Sequence, residues 1–266
     1  MKAVLAALLL APTLAAAGPI VYSGPPGSAP PAPIAPLAQP VSPEVPKKTV
    51  GFDRMQERVA SGRGLVTSTA LTVPEGKVEA SFQLVVPFLG IGGLNAGITK
   101  STEVWVDGAT TFESDGEGSE EHAYGIGIKQ VIVRNKNVAI ALTASLRKIS
   151  ENSESGWKSI GAVGSLCVDD DCSVMVSGAA QRLFSHRDEY YGDGSDAMMF
   201  TFGTSIGNRT TRVLIDLVSV DEESIAFFGM RFGGTSMAFD AGIVKPLMDS
   251  EGDVPTIPWL GLTARM

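Results

Sequence analysis

The stretch Asn137-Val-Ala-Ile-Ala-Leu-Thr-Ala-Ser-Leu-Arg-Lys148 decides how this chain is read. Val138, Ile140, Leu142, Ala144 and Leu146 alternate with Ala139, Ala141, Thr143, Ser145 and Arg147. A period of two is a strand pattern. One face is apolar throughout; the other is small or polar with one isolated charge. A strand with lipid on one side and a polar interior on the other requires that division. A soluble sandwich, the competing reading, also alternates, but its polar face is usually richer in charge.

The pattern recurs along the chain. In 78–86, Val78, Ala80, Phe82, Leu84 and Val86 alternate with Glu79, Ser81, Gln83 and Val85. In 198–206, Met198, Phe200, Phe202, Thr204 and Ile206 alternate with Met199, Thr201, Gly203 and Ser205. Strands are expected near 63–72, 77–91 (or on to 98), 102–112, 123–133, 137–149, 157–168, 172–184, 197–207, 210–220, 224–232, 236–246 and 257–266. Pro87 and the run Gly90-Ile-Gly-Gly93 offer a break in the second. The segment 172–184 alternates imperfectly, because Arg182 shares a face with Val174 and Val176. Long connections at 112–122, 150–156, 184–196 and 247–256 alternate with short ones at 99–102, 134–137, 207–210 and 233–235. The expected fold class is all-β: a transmembrane antiparallel up-and-down β-barrel of about 12 strands, long loops outside and both termini periplasmic. Phe112 and Tyr124 flank one long loop as an aromatic girdle would.

Lys2, the apolar Ala3–Leu10 and Ala15-Ala-Ala17 read as a signal peptide over 1–17. Residues 18–61 form a Pro/Ala-rich periplasmic arm, with amphipathic residues 52–60 suited to a short helix at the barrel mouth. Residues 62–266 are the expected outer-membrane barrel.

A net charge of −8 argues against nucleic acid as a partner. The acids cluster in connections: Glu113 to Glu121, Glu151 and Glu154, Asp221 to Glu223, Asp249 to Asp253. Solvated loops are the plain reading; an acidic rim that takes divalent cations is the sharper one. Several short turns are basic, through Lys100, Arg134, Lys136 and Arg209. Cys167 and Cys172, in Cys-Val-Asp-Asp-Asp-Cys, are spaced for a disulfide across a hairpin in an oxidising compartment. The three aspartates between them are expected as free carboxylates rather than a weak Ca²⁺ site.

The last strand, Thr256-Ile-Pro-Trp-Leu-Gly-Leu-Thr-Ala-Arg-Met266, sets Leu260, Leu262, Ala264 and Met266 on one face. It resembles the C-terminal targeting strand of Gram-negative outer-membrane proteins, with Met266 where Phe is usual. That resemblance implies the barrel-assembly machinery as a partner during biogenesis and outer-membrane lipid afterwards. Leu94-Asn-Ala-Gly-Ile-Thr99, Phe239-Asp-Ala-Gly-Ile-Val-Lys-Pro246 and Pro258-Trp-Leu-Gly-Leu262 resemble a group of uncharacterised bacterial outer-membrane barrel proteins. The resemblance implies a barrel and a compartment, and brings no activity and no site residues.

No nucleophile–base constellation surrounds His122 or His186, so no catalytic residue, metal ligand or cofactor is assigned and the chain is read as a non-enzyme. The chemistry lies in charges expected on the interior face: Glu79, Asp107, Lys129, Arg147, Asp216, Arg231 and Asp240. Hydrated, they would line a passive porin-like channel for small solutes. Paired, they would close the lumen and leave a structural or surface-interaction barrel with acidic extracellular loops.

Overall fold

The computed structural model describes residues 50–86, 89–111, 122–149, 156–186, 196–221, 223–247 and 256–266. The signal-peptide and arm readings before Val50, Phe112, and most of the acidic loop residues lie outside them.

Twelve antiparallel strands close on themselves. They are β1 (Val78–Val85), β2 (Leu89–Gly97), β3 (Thr102–Thr111), β4 (His122–Arg134), β5 (Val138–Ile149), β6 (Gly156–Cys167), β7 (Val174–His186), β8 (Asp196–Gly207), β9 (Thr211–Val220), β10 (Glu223–Gly233), β11 (Met237–Pro246) and β12 (Ile257–Arg265). Each pairs with its neighbours in sequence, and β1 closes the ring on β12 from Glu79↔Arg265 to Val85↔Trp259. Closure leaves no sheet edge, and it rules out the sandwich. The exterior carries the large apolar face foreseen from the alternation: Phe82, Leu142, Phe200, Phe202, Leu260 and Leu262 are all exposed.

The connections define two ends. β3, β5, β7 and β11 finish at one end, called here the loop end; the short connections 98–101, 135–137, 168–173, 208–210 and 234–236 lie at the other, the turn end. The barrel is tied at the turn end by the Cys167–Cys172 disulfide between β6 and β7.

Two strand expectations need correction. Residues 77–91 are not one strand: β1 ends at Val85, and a second strand, β2, runs from Leu89 to Gly97. Residues 63–72 are not in the wall. Neither of their faces presents large apolar side chains in alternation, since Thr67 and Thr69 stand opposite Ser68, Ala70 and Thr72. Instead the segment before β1 lies inside the barrel. A one-turn helix, α1 (Phe52–Gln56), sits at the turn end, shorter than the two turns expected. The chain then enters the lumen and turns back, with one bridge between Arg63 and Ser68 and a hydrogen bond from Gly64 N to Thr67 O. It leaves past Pro74 to start β1. Leu65, Thr67, Thr69, Ala70, Leu71, Thr72 and Val73 are almost completely buried.

Two apolar clusters fill the interior at different heights. Near the loop end, Val85, Leu89, Met199, Val218, Phe227, Val244 and Trp259 converge, and Leu65 and Val66 at the tip of the inserted segment pack into them. Near the turn end, Phe52, Met55, Ala70 and Leu71 pack on Ala139, Ala141, Val163, Met175 and the disulfide. Most of the small side chains on the interior face of β5 to β7 lie at or below the middle of the barrel, where the inserted segment needs room.

Candidate functional site

An irregular segment inside a closed barrel has a backbone problem. Its N–H and C=O groups are away from water, and the wall's own groups are used up in the sheet. Each buried group left unpaired costs about 1–3 kcal/mol. The wall's interior charges meet that need.

The carboxylates take N–H groups. Asp216 on β9 accepts from Val66 N and Thr67 N, both at 2.8 Å. Glu103 on β3 accepts from Val73 N at 2.7 Å. Glu79 on β1 accepts from Ala60 N at 3.1 Å. The cations take carbonyls. Arg231 on β10 donates to Ala60 O, Arg63 O and Gly64 O at 2.9, 3.0 and 2.9 Å. Lys129 on β4 reaches Gly62 O at 3.4 Å and Thr69 O at 3.3 Å. Arg265 on β12 donates to Gln56 O, Glu57 O and Arg58 O. Ser165 on β6 accepts from Ala70 N at 2.9 Å. Side chains from β1, β3, β4, β6, β9, β10 and β12 thus replace a sheet partner.

Most of these charges also have an ionic partner on an adjacent strand. Arg231 bonds Asp240 at 2.7 and 2.9 Å in a two-pronged pair. Lys129 stands 3.2 Å from Glu103, and Arg265 stands 2.6 Å from Glu79. Arg147 is paired with Asp107 and lies 5.6 Å over the Trp157 ring. Arg63, from the inserted segment, bonds Thr263 and approaches Asp240 at 4.0 Å. Asp216 is different: it spends its bonding on the segment's backbone. Gly64 makes room for that contact. A Cβ there would fall 2.5 Å from a carboxylate oxygen of Asp216, and one at Gly203 would fall 2.7 Å from the other oxygen.

The turn end is closed by a second set of contacts. Gly51 N donates to Asp170 O at 2.7 Å, and Phe52 N to Lys136 O at 3.1 Å. Arg54 pairs with Asp171, and Arg134 with Asp53 at 2.7 Å. The disulfide turn is therefore the seat of α1. Its aspartates are not free carboxylates: Asp169 bonds Ser173, Asp170 bonds Lys136 at 2.6 Å, and Asp171 bonds Arg54. The Ser173 hydroxyl holds the Asp169 carboxyl below the usual carboxylate range, and Lys136 does the same to Asp170. Arg58, half-buried beside Arg209, Arg231 and Arg54, is pushed down to about 10, mainly by burial. It donates to Asn208 O at 2.6 Å. Arg212 fastens the wall beneath, donating to Cys172 O and Ser173 O at 3.0 and 3.1 Å.

What space remains is small. A recess of about 30 Å³ lies between Ser68, Trp105, Thr143, Arg147 and Trp157. A single water needs roughly 10–15 Å³ on this measure, so the recess has room for water molecules and not for a solute.

Glu79, Asp107, Lys129, Arg147, Asp216, Arg231 and Asp240 all point inward and are buried, Asp240 completely. The ion pairs among them run along the wall: Arg231 and Asp240 join neighbouring strands, and Arg147 on β5 reaches Asp107 on β3 past Gly125 of β4. Sequence reasoning missed Glu103, Arg212, Arg265 and Arg63. The first three keep the interior parity of their strands, opposite Val104, Val213 and Ala264, so the same alternation finds them once strand ends are included. Arg63 had no such signal, because its segment was read as wall.

No family model matches the chain, and no curated protein matches it. Among solved structures it is similar to the KdgM porin, with a TM-score of 0.55 and 8% identity over 71% of this chain and 98% of that one. The same porin in complex with disordered oligogalacturonate aligns at a TM-score of 0.48, with 8% identity over 71% and 98%. The outer-membrane protein Omp33 of Acinetobacter baumannii aligns at 0.41, with 11% identity over 71% and 96%. At such identities the likeness is one of fold, that of a closed antiparallel β-barrel.

Proposed function

We propose that this protein is an outer-membrane barrel closed at rest by its own N-terminal segment, and that it passes small solutes only when residues 51–77 leave the lumen. The observation that carries this reading is the clamp: side chains on seven strands, six of them charged, hold an irregular segment inside the barrel. A wall built only for stability is better filled by apolar side chains than by buried charges. Charges that bind a removable segment have a use in both states, because they would face water once it leaves. Barrels of this type place short turns on the periplasmic side. Residues 18–50 would then form an arm in the periplasm, after removal of a signal peptide at 1–17.

A second reading, a permanently closed structural barrel, is favoured by the apolar cluster of Met199, Phe227, Val244 and Trp259 near the loop end. Planar-bilayer recording separates the two. The full chain should insert without steady current, and a chain lacking 51–77 should give stepwise conductance. If the shortened chain inserts as a folded, heat-modifiable barrel and still carries no current, the structural reading replaces the channel.

A further inference from the structure

We propose that the exterior of β5, β6 and β7, at the loop end, binds a phosphorylated lipid headgroup through Lys148, Lys158 and Arg182. The inference rests on the membrane reading above and concerns a different surface. Among the described strand residues, the exposed exterior charges all stand at the loop end: His122, Lys148, Lys158, Arg182, Asp196 and Lys245. Charge on a lipid-facing wall is tolerated only near the interface. Here it is concentrated at one interface, and it is mostly basic.

The three cations are also level with one another. Direct register climbs this wall. The run of opposed residues from Glu79 through Asn95, Trp105, Gly127, Ser145, Ser159 and Leu183 to Ala197 starts near the turn end of β1 and finishes near the loop end of β8. A row at constant height must therefore step toward the turn end from each strand to the next. Gly156 opposes Lys148, and Lys158 lies two positions toward the turn end from it. Phe184 opposes Lys158, and Arg182 lies two positions toward the turn end from that. Diagonal neighbours of this kind are roughly 7–8 Å apart, so the row presents its cations to one ligand.

The surroundings select an amphiphile. Exposed Leu146 and Ile160 lie beside the row, and Tyr124 belongs to the same girdle. A headgroup phosphate matches the cations, and Arg offers a fork suited to it. The acyl chains of the same molecule would cover the apolar positions, which inorganic phosphate would leave bare. Arg182 is engaged in the free protein by Asp196 and lies 5.0 Å over the Phe184 ring, which fixes its direction. Lys148 and Lys158 supply the charge that Asp196 does not offset.

The test is lipid retention by the full-length protein, read by native mass spectrometry after exchange from a bisphosphorylated glycolipid or its dephosphorylated form. Wild type should keep the phosphorylated form preferentially. In the Lys148→Gln/Lys158→Gln/Arg182→Gln variant, retention should fall by roughly tenfold to a hundredfold, at the strength of a basic residue near an anionic surface. Lys148→Arg/Lys158→Arg should retain it, and Lys245→Gln should leave it unchanged. Equal retention of both lipid forms, or a triple variant that binds like wild type, overturns the proposal. Full displacement by millimolar inorganic phosphate overturns the commitment to a lipid. The same samples are run boiled and unboiled. A protein soluble without detergent and unshifted by heat would sink the membrane reading itself, whereas a folded barrel without lipid preference sinks only this inference.

Discussion

Replacing Asp216 by Ala is the most informative single change. The residue is 1% exposed and carries the hydrogen bonds of Val66 N and Thr67 N, at the tip of the inserted segment. A hydrogen bond to a charged group contributes about 1.5–3 kcal/mol, so two contribute about 3–6 kcal/mol. Removing a buried carboxylate also relieves a desolvation penalty of several kcal/mol, which offsets part of that loss. A net weakening of the seat by about 2–3 kcal/mol follows, or roughly a 30- to 150-fold rise in the population with the tip released. Leu65 and Val66 would still prefer their apolar cluster, so the segment should flicker rather than depart. Single-barrel recording in planar bilayers reads this as brief openings absent from wild type. Asp216→Asn keeps an acceptor and should fall between the two. If Asp216→Ala inserts as a folded barrel and is as silent as wild type, with unchanged amide exchange at Val66 and Thr67, the clamp does not hold the segment.

Gly64→Ala places a Cβ 2.5 Å from the Asp216 carboxylate and should imitate Asp216→Ala in the same recording, with no loss of heat-modifiable mobility. Reducing the Cys167–Cys172 disulfide should cost about 2 kcal/mol for so short a loop and loosen α1 from its seat, seen as faster proteolysis near Gly51 while the strands stay protected. Acid should loosen the same seat. Asp169 and Asp170 have folded pKa values below the ordinary 3.8, so their contribution is complete above that value and is lost as pH falls through the lower folded values. Proteolysis near Gly51 should therefore be flat from pH 7 to 5 and accelerate only below about 3.8.

Barrel, strand directions and interior charges were legible because a two-residue period assigns every side chain to a face. Glu79, Lys129 and Asp240 could be placed inside before their partners were known. The total of twelve strands emerged through two errors that cancel: 63–72 was counted as wall, and 77–91 was counted once. The first error has a physical cause. Residues 63–72 are buried on all sides by the barrel, so they carry no amphipathic signature, and a short mixture of Thr, Ser, Ala and Leu reads as a narrow-barrel strand. Several of their hydrogen-bond partners, Asp216 and Arg231 among them, lie more than a hundred residues away, and no local pattern encodes that. Arg182, awkward in sequence, is explained by height: it lies at the loop end, where it pairs with Asp196 on the exterior.

The central claim is that residues 60–73 occupy the lumen and are held there by the wall. Hydrogen exchange of the full-length protein in a bilayer tests it most directly. Val66, Thr67, Ala70 and Val73 donate their amides to Asp216, Ser165 and Glu103 rather than to a strand. They should nonetheless exchange as slowly as amides of β5 and β9, and at least a hundredfold more slowly than an exposed arm, given bonds of about 1.5–3 kcal/mol each in a water-excluded site. Exchange of these four amides at the rate of an unstructured peptide, while the strands remain protected, would show an empty barrel with a free arm and contradict the account.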